Sequence, residues 1–96
     1  MAELDPVIHA QARLRIMATL ATLDDDGSIA FPRLQELLEM TPGNLSTHLR
    51  KLEDAGYVRV RKATVASRQR TSLSLSPAGR SAFTAHVAEL RRITGG

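Results

Sequence analysis

The sequence contains no cysteine and no tryptophan, and its 96 residues include only two phenylalanines and one tyrosine. Without cysteine the chain can form neither a disulfide nor a thiolate metal site, which suits a reducing compartment. No apolar run approaches the length that spans a membrane, and the N-terminus lacks the basic and then apolar segments of a signal peptide. We therefore expect a soluble, cytoplasmic protein with one domain over residues 1–96, whose core is mostly aliphatic.

Charge is distributed unevenly along the chain. Residues 1–41 hold three Lys and Arg against seven Asp and Glu, a net charge of −4, whereas residues 42–96 hold ten against three, a net charge of +7. Because the field near a surface depends on local charge, this asymmetry indicates a polyanionic partner more strongly than the overall +3 does. A solvated surface of mixed charge is the alternative.

The four prolines predict the starts of four helices, because a proline at the first helical position gives up no needed hydrogen-bond donor. Apolar spacing extends these helices over about residues 6–23, 32–39, 42–55 and 77–93. In the first helix we expect Arg13 and Arg15 to face solvent. In the second we expect Leu34, Leu37 and Leu38 to face inward. About three residues separate the second and third helices, which is typical of a helix-turn-helix unit, here about 32–55.

The third predicted helix carries strong signals at both ends. Thr41 can cap its start with a hydroxyl, and Gly56 can adopt the left-handed conformation that ends a helix. Leucines at positions 45, 49 and 52 form one apolar stripe. The opposite face is small, polar and cationic, so the helix suits either a DNA major groove or an ordinary solvated surface. In the second case Arg50 and Lys51 would pair with Asp54 and Glu53.

After Gly56 the apolar period changes from 3.6 to 2, which predicts a β-hairpin over about residues 57–75. Apolar and polar side chains alternate over residues 57–65 and 70–75, and residues 66–69 form a polar link. The hairpin has no acidic residue but five cations: Arg59, Arg61, Lys62, Arg68 and Arg70. Such cations either discourage edge-to-edge aggregation or contact phosphates, and their position after a helix-turn-helix favours phosphates.

Ser76 can cap the last predicted helix, whose apolar stripe consists of Phe83, Val87 and Leu90. Because the helix comes after the hairpin, we expect it to project from the compact core. Its apolar stripe therefore needs a partner. Packing against the first helix of the same chain is one solution. We prefer a homodimer interface, to which Ile8 of the first helix would also contribute.

The segment GNLSTHLRKLEDAGYV, residues 43–58, and the segment LSPAGR, residues 75–80, resemble motifs of small prokaryotic winged helix-turn-helix regulators of the MarR/ArsR-like superfamily. The resemblance implies a mainly α fold with a small β-hairpin, or wing, and flanking N- and C-terminal helices. It also implies a homodimeric, sequence-specific double-stranded DNA-binding transcriptional regulator. Helix 42–55 would enter the major groove, and the basic wing would contact the backbone or minor groove. A winged-helix protein–protein interaction module without DNA binding is the alternative.

On this resemblance we assign candidate DNA contacts to the outward face of helix 42–55 and to the wing. Arginine can pair with guanine O6 and N7, a helix N-terminus suits a phosphate, and the wing cations would bind phosphates. The candidates are Gly43, Asn44, Ser46, Thr47, Arg50, Lys51, Arg68 and Arg70.

The chain departs from metal-sensing members of this superfamily because it has no cysteine and its three histidines are scattered. We therefore expect no metal site and no cofactor, and we expect His48 to be a packing residue. No catalytic constellation is visible, so we expect no enzymatic activity. Regulators of this kind can bind a small-molecule effector between the first and last helices, and the sequence does not specify one.

Overall fold

Five helices and a three-stranded antiparallel sheet make up residues 5–95, which the computed structural model describes; residues 1–4 and 96 of the predicted domain lie outside the described part. In chain order the elements are α1 Pro6–His9, α2 Gln11–Ala21, β1 Ile29–Ala30, α3 Phe31–Leu38, α4 Pro42–Asp54, β2 Val58–Val65, β3 Arg68–Leu75 and α5 Pro77–Thr94. The sheet has the order β1-β3-β2. This is a winged helix, and the predicted fold class is confirmed.

The N-terminal helix is broken, where the sequence predicted one continuous helix. Ala10 has ψ 131°, which ends α1 and leaves α2 to start at Gln11. The Arg13 Nε donates a hydrogen bond of 2.5 Å to the Val7 carbonyl, which the break deprives of a helical partner. Arg13 is thus partly buried, and the prediction that it faces solvent is wrong. Arg15 is exposed, and its Nη2 donates to the carbonyl of Leu38.

The helix-turn-helix consists of α3 and α4, joined by three residues. Glu39 at the turn has a left-handed φ of 54°. Thr41 caps α4 as predicted, because its Oγ1 accepts from the Asn44 N–H at 3.2 Å. The predicted leucine stripe of α4 is buried, as are Leu34 and Leu38 of α3. Leu37 is 47% exposed, so the prediction that it faces inward is wrong.

The hairpin turn is tighter than predicted. Val65 pairs with Arg68, so only Ala66 and Ser67 form the loop, where a link over residues 66–69 was expected. Both loop residues have positive φ, 51° and 65°, as in the two-residue turns whose twist matches that of the flanking strands. Because neither is glycine or asparagine, the local sequence carries no signal for this turn.

Helix α5 is anchored to the rest of the chain at its first turn. Ser76 caps it as predicted, since its Oγ accepts from the Gly79 N–H at 2.9 Å. The Arg80 guanidinium donates to the carbonyls of Ala21 and Leu23 at 3.4 and 3.3 Å, and it pairs with Asp25 at 3.3 Å. The LSPAGR segment therefore ties α5 to the C-terminal end of α2.

The inner face of α5 differs from the predicted apolar stripe. Its buried positions are Gly79, His86 and Glu89, and Glu89 pairs with Arg92 one turn later. The hydrogen bond from the Arg92 guanidinium holds the pKa of the Glu89 carboxyl below its usual range. Phe83 is partly buried against the core, so the apolar stripe lies at the margin of the buried face.

Candidate nucleic-acid interface

The outward face of α4 presents the predicted contact residues to solvent. All six candidates on this helix are exposed: Gly43, Asn44, Ser46, Thr47, Arg50 and Lys51. The Thr47 Oγ1 donates to the Gly43 carbonyl at 2.9 Å, which orients that side chain and leaves its oxygen lone pairs as acceptors. These six positions thus form one accessible surface, which we call the α4 face: Gly43 without a side chain, the small or amide side chains of Asn44, Ser46 and Thr47, and the long cations Arg50 and Lys51.

Gly43 is not required by the fold. A Cβ at this position would meet no atom within 4 Å, and glycine within a helix is less favourable than alanine by about 1 kcal/mol. The missing side chain therefore gives the fold no visible packing benefit. It does leave the N-terminal end of α4 open to the close approach of another backbone.

A cleft of about 560 Å³ separates α4 from the hairpin. Its floor is apolar, formed by Phe31, Leu49, Val60 and Leu73. Its rim is polar and carries charges from both walls: Ser46, Arg50 and Glu53 from α4, and Lys62 and Thr71 from the hairpin. The structure therefore brings Ser46 and Arg50 together with a hairpin cation, Lys62.

Lys62 was not among the predicted contact residues, although strand alternation contains the signal that would have found it. Val58 and Val60 face the core side of the sheet, and Lys62 follows them at the same period of two. Arg59 and Arg61 lie on the opposite side of β2. The five hairpin cations therefore do not form one cluster, because Lys62 points toward α4 and the two arginines point away from it.

The predicted wing contacts Arg68 and Arg70 are exposed near the hairpin tip. Leu73 and Leu75 of the same strand are buried, so alternation places both arginines on the side of β3 away from the core. Together with Ala30 and Pro32, they line a depression beside the start of α3. They are accessible, but they do not share the cleft with Arg50.

The charges on α4 are not neutralised in the way the alternative interpretation requires. Within residues 5–95, none of the salt bridges involves Arg50 or Lys51.

His48 lies between α4 and α2, with its Nδ1 3.5 Å from Arg13 Nη1. Burial lowers the His48 pKa from its ordinary value of 6.5, and the charges of Arg13 and Lys51 lower it further. His48 is therefore neutral near pH 7 and faces the interior rather than the α4 face.

The residues predicted for a dimer interface have different environments. Ile8 is completely buried within the chain's own core, so it has no surface to present to a partner and leaves the candidate set. Phe83, Val87 and Leu90 are partly exposed on α5, and Ile93 beyond them is 57% exposed. The remaining stripe is partly accessible along α5.

Comparison with known families agrees with this geometry. The family model described as "Winged helix DNA-binding domain" matches residues 12–94, and the chain belongs to this family. An uncharacterized protein of Methanocaldococcus jannaschii is 32% identical over 88 residues, which cover 92% of each chain. Family and fold indicate a transcriptional regulator. Within the described residues, no helix is long and apolar enough to cross a membrane.

Solved structures extend the likeness to regulators of the MarR family. A transcriptional regulator homologue from Pyrococcus horikoshii is 30% identical with a TM-score of 0.84, and the match covers 94% of this chain and 86% of that one. A MarR-family regulator from Enterococcus faecalis shares the fold at 22% identity, with a TM-score of 0.77 over 93% and 76% of the two chains. The MepR–DNA complex from Staphylococcus aureus matches with a TM-score of 0.75 at 17% identity, over 92% and 69%. The predicted resemblance is confirmed.

Proposed function

We propose that this chain is a sequence-specific transcriptional regulator that binds double-stranded DNA as a homodimer. Helix α4 enters the major groove, and the wing contacts the backbone or the minor groove. The observation that carries the proposal is the α4 face: a capped helix that presents small and polar side chains and Arg50 to solvent. The winged helix DNA-binding domain family supports the same partner.

In this arrangement the residues divide into two roles. Asn44, Ser46, Thr47 and Arg50 read base edges, and the Arg50 fork suits guanine O6 and N7. Gly43 lets a phosphate approach the helix N-terminus. Lys51, Lys62, Arg68 and Arg70 neutralise phosphates, so they contribute affinity and salt dependence rather than sequence preference.

Anisotropy titrations of labelled duplexes test these roles, with the preferred site first selected from genomic fragments. Arg50→Ala should lose about 1–3 kcal/mol on the preferred site and less on unrelated duplexes. Arg68→Ala should weaken binding to all duplexes similarly and reduce the slope of log K against log salt by about 1. An Arg50→Ala protein with unchanged site preference would refute the assigned role. Absence of binding by the unaltered chain at low salt would favour the protein-interaction alternative.

The dimer is supported by the accessible stripe of Phe83, Val87 and Leu90 along α5. Leu90→Asp places a charge in this stripe, and Ala85→Asp places the same charge at an exposed position on the opposite side of the helix. Sedimentation at micromolar concentration should show a dimer for the unaltered chain and for Ala85→Asp, and a monomer for Leu90→Asp. A monomeric unaltered chain would overturn this part of the proposal.

A further inference from the structure

The C-terminal end of α4 is hydrogen-bonded directly to the start of α5. Gly56 has φ 81° and ends α4, and the Tyr57 N–H closes the last turn on the Leu52 carbonyl at 2.9 Å. Ser76 then binds both residues of this junction: its N–H donates to the Tyr57 carbonyl at 3.0 Å, and its Oγ donates to the Gly56 carbonyl at 2.5 Å. The angle between α4 and α5 therefore depends on the backbone at Gly56 and Tyr57.

The Tyr57 side chain connects the same junction to the N-terminal segment. Its hydroxyl donates to Asp5 Oδ2 at 2.5 Å, and Asp5 Oδ1 accepts from the Val7 N–H at 2.8 Å, which caps α1. The Asp5 N–H in turn donates to His86 Nδ1 on α5 at 3.2 Å. The hydrogen bond to Asp5 raises the Tyr57 pKa above its ordinary value of 10.0, so the phenol remains a donor.

The hydroxyl and the ring of Tyr57 have separable roles. The ring is partly buried against the core, and a phenylalanine ring would pack in the same way. The hydroxyl forms a charge-assisted hydrogen bond, a class that is shorter and stronger than neutral ones and is sensitive to geometry. It therefore restrains the orientation of the α4 end relative to α1 and α5 beyond what packing requires.

We propose that Tyr57 and Asp5 are positioning residues that fix the separation of the two recognition helices in the dimer, and with it the half-site spacing of the DNA. This inference depends on the proposed function, because α5 carries the stripe assigned to the dimer. Helix α4 has 13 residues. At 1.5 Å per residue its length is about 20 Å, so a tilt of roughly 10° at its C-terminal end moves its N-terminus about 3.4 Å, one base-pair step.

The test measures spacing preference, which a loss of stability alone does not change. A pool of duplexes carries two copies of the preferred half-site separated by spacers of different lengths. Tyr57→Phe removes only the hydroxyl, and Thr84→Ala is the matched control, since the Thr84 hydroxyl donates within α5 to the Arg80 carbonyl. We expect Tyr57→Phe to reduce discrimination between the best spacing and its neighbours about three- to tenfold, with half-site sequence preference unchanged. Thr84→Ala should retain the original profile.

A double-mutant cycle identifies the partner of the hydroxyl. Asp5→Asn removes the charge of the acceptor and should also broaden the spacing profile, and adding it to Tyr57→Phe should broaden the profile no further, because both changes act on one interaction. An unchanged profile in Tyr57→Phe, or an equal loss of affinity at every spacing, would overturn the inference while leaving the proposed function intact. If the unaltered chain showed no spacing preference, the inference would fail; if it bound no duplex, the proposed function would fail as well.

Discussion

Replacing Gly79 with alanine should destabilise the chain, although helix propensity alone predicts the opposite. Gly79 is buried in the first turn of α5. A Cβ there would lie 2.8 Å from the carbonyl carbon and 2.9 Å from the Cα of Tyr57. These are backbone atoms held by the Ser76 hydrogen bonds, so they can move away only if that junction is distorted. Overpacking of this kind typically costs about 1–3 kcal/mol.

The size of the expected change in the free energy of unfolding follows from two opposing contributions. Alanine is more favourable than glycine within a helix by up to about 1 kcal/mol. The steric cost lies at the upper end of its range because the obstructing atoms belong to the backbone. We therefore expect Gly79→Ala to lower the free energy of unfolding by about 2 kcal/mol, with a loss of about 4–8 °C in Tm for each kcal/mol.

Gly43→Ala is the matched control, since Gly43 also lies in the first turn of a helix that begins with a hydroxyl cap and a proline. No atom lies within 4 Å of its added Cβ, so this variant should be as stable as the unaltered chain or more stable by up to about 1 kcal/mol. Urea unfolding followed by circular dichroism measures both variants. Equal stability of Gly79→Ala and the unaltered chain would refute the steric argument. Gly43→Ala should nevertheless bind DNA more weakly.

Two further predictions concern the hairpin turn and His48. Replacing Ala66-Ser67 with Asn-Gly should stabilise the hairpin by about 1 kcal/mol, because asparagine and glycine favour the positive φ found at both positions. Amide exchange in β2 and β3 should become slower, and an unchanged exchange rate would contradict this prediction. The folded-state pKa of His48 lies below 6.5, so the folded chain favours the neutral imidazole. The contribution of His48 to the free energy of unfolding is therefore present above pH 6.5 and is lost as the pH falls through the folded-state pKa. His48→Gln should flatten the urea-measured stability profile between about pH 5 and 8, and an unchanged profile would refute this.

Much of the fold could be predicted because its helices carry their start and end signals locally. The caps at Thr41 and Ser76 and the left-handed Gly56 lie where the sequence placed them. Each signal consists of a few adjacent residues whose side chains or φ angles satisfy the free backbone groups of one helix end. The exposure of the predicted candidates on α4 could also be predicted from a local pattern, because the buried leucine stripe determines which face of the helix points outward.

The features that were not predicted depend on contacts between distant residues. Nothing at Ala10 disfavours a helix, and its break is accompanied by a hydrogen bond from Arg13 and by complete burial of Ile8. The two-residue turn at Ala66 follows from the register of eight strand pairs rather than from its own residues. The environment of Lys62 likewise depends on the hairpin lying beside α4.

The sequence by itself determined the order and ends of most elements, the buried stripe of α4 and the excess of positive charge in the second half of the chain. Periodicity, capping and composition are local properties, and they need no knowledge of neighbours. Only the tertiary structure decided that Lys62 faces Arg50 across a cleft, that Ile8 is buried in the core, and that Tyr57 joins α4 to Asp5 and, through it, to α5. These relations join residues up to 81 positions apart, which no local pattern specifies.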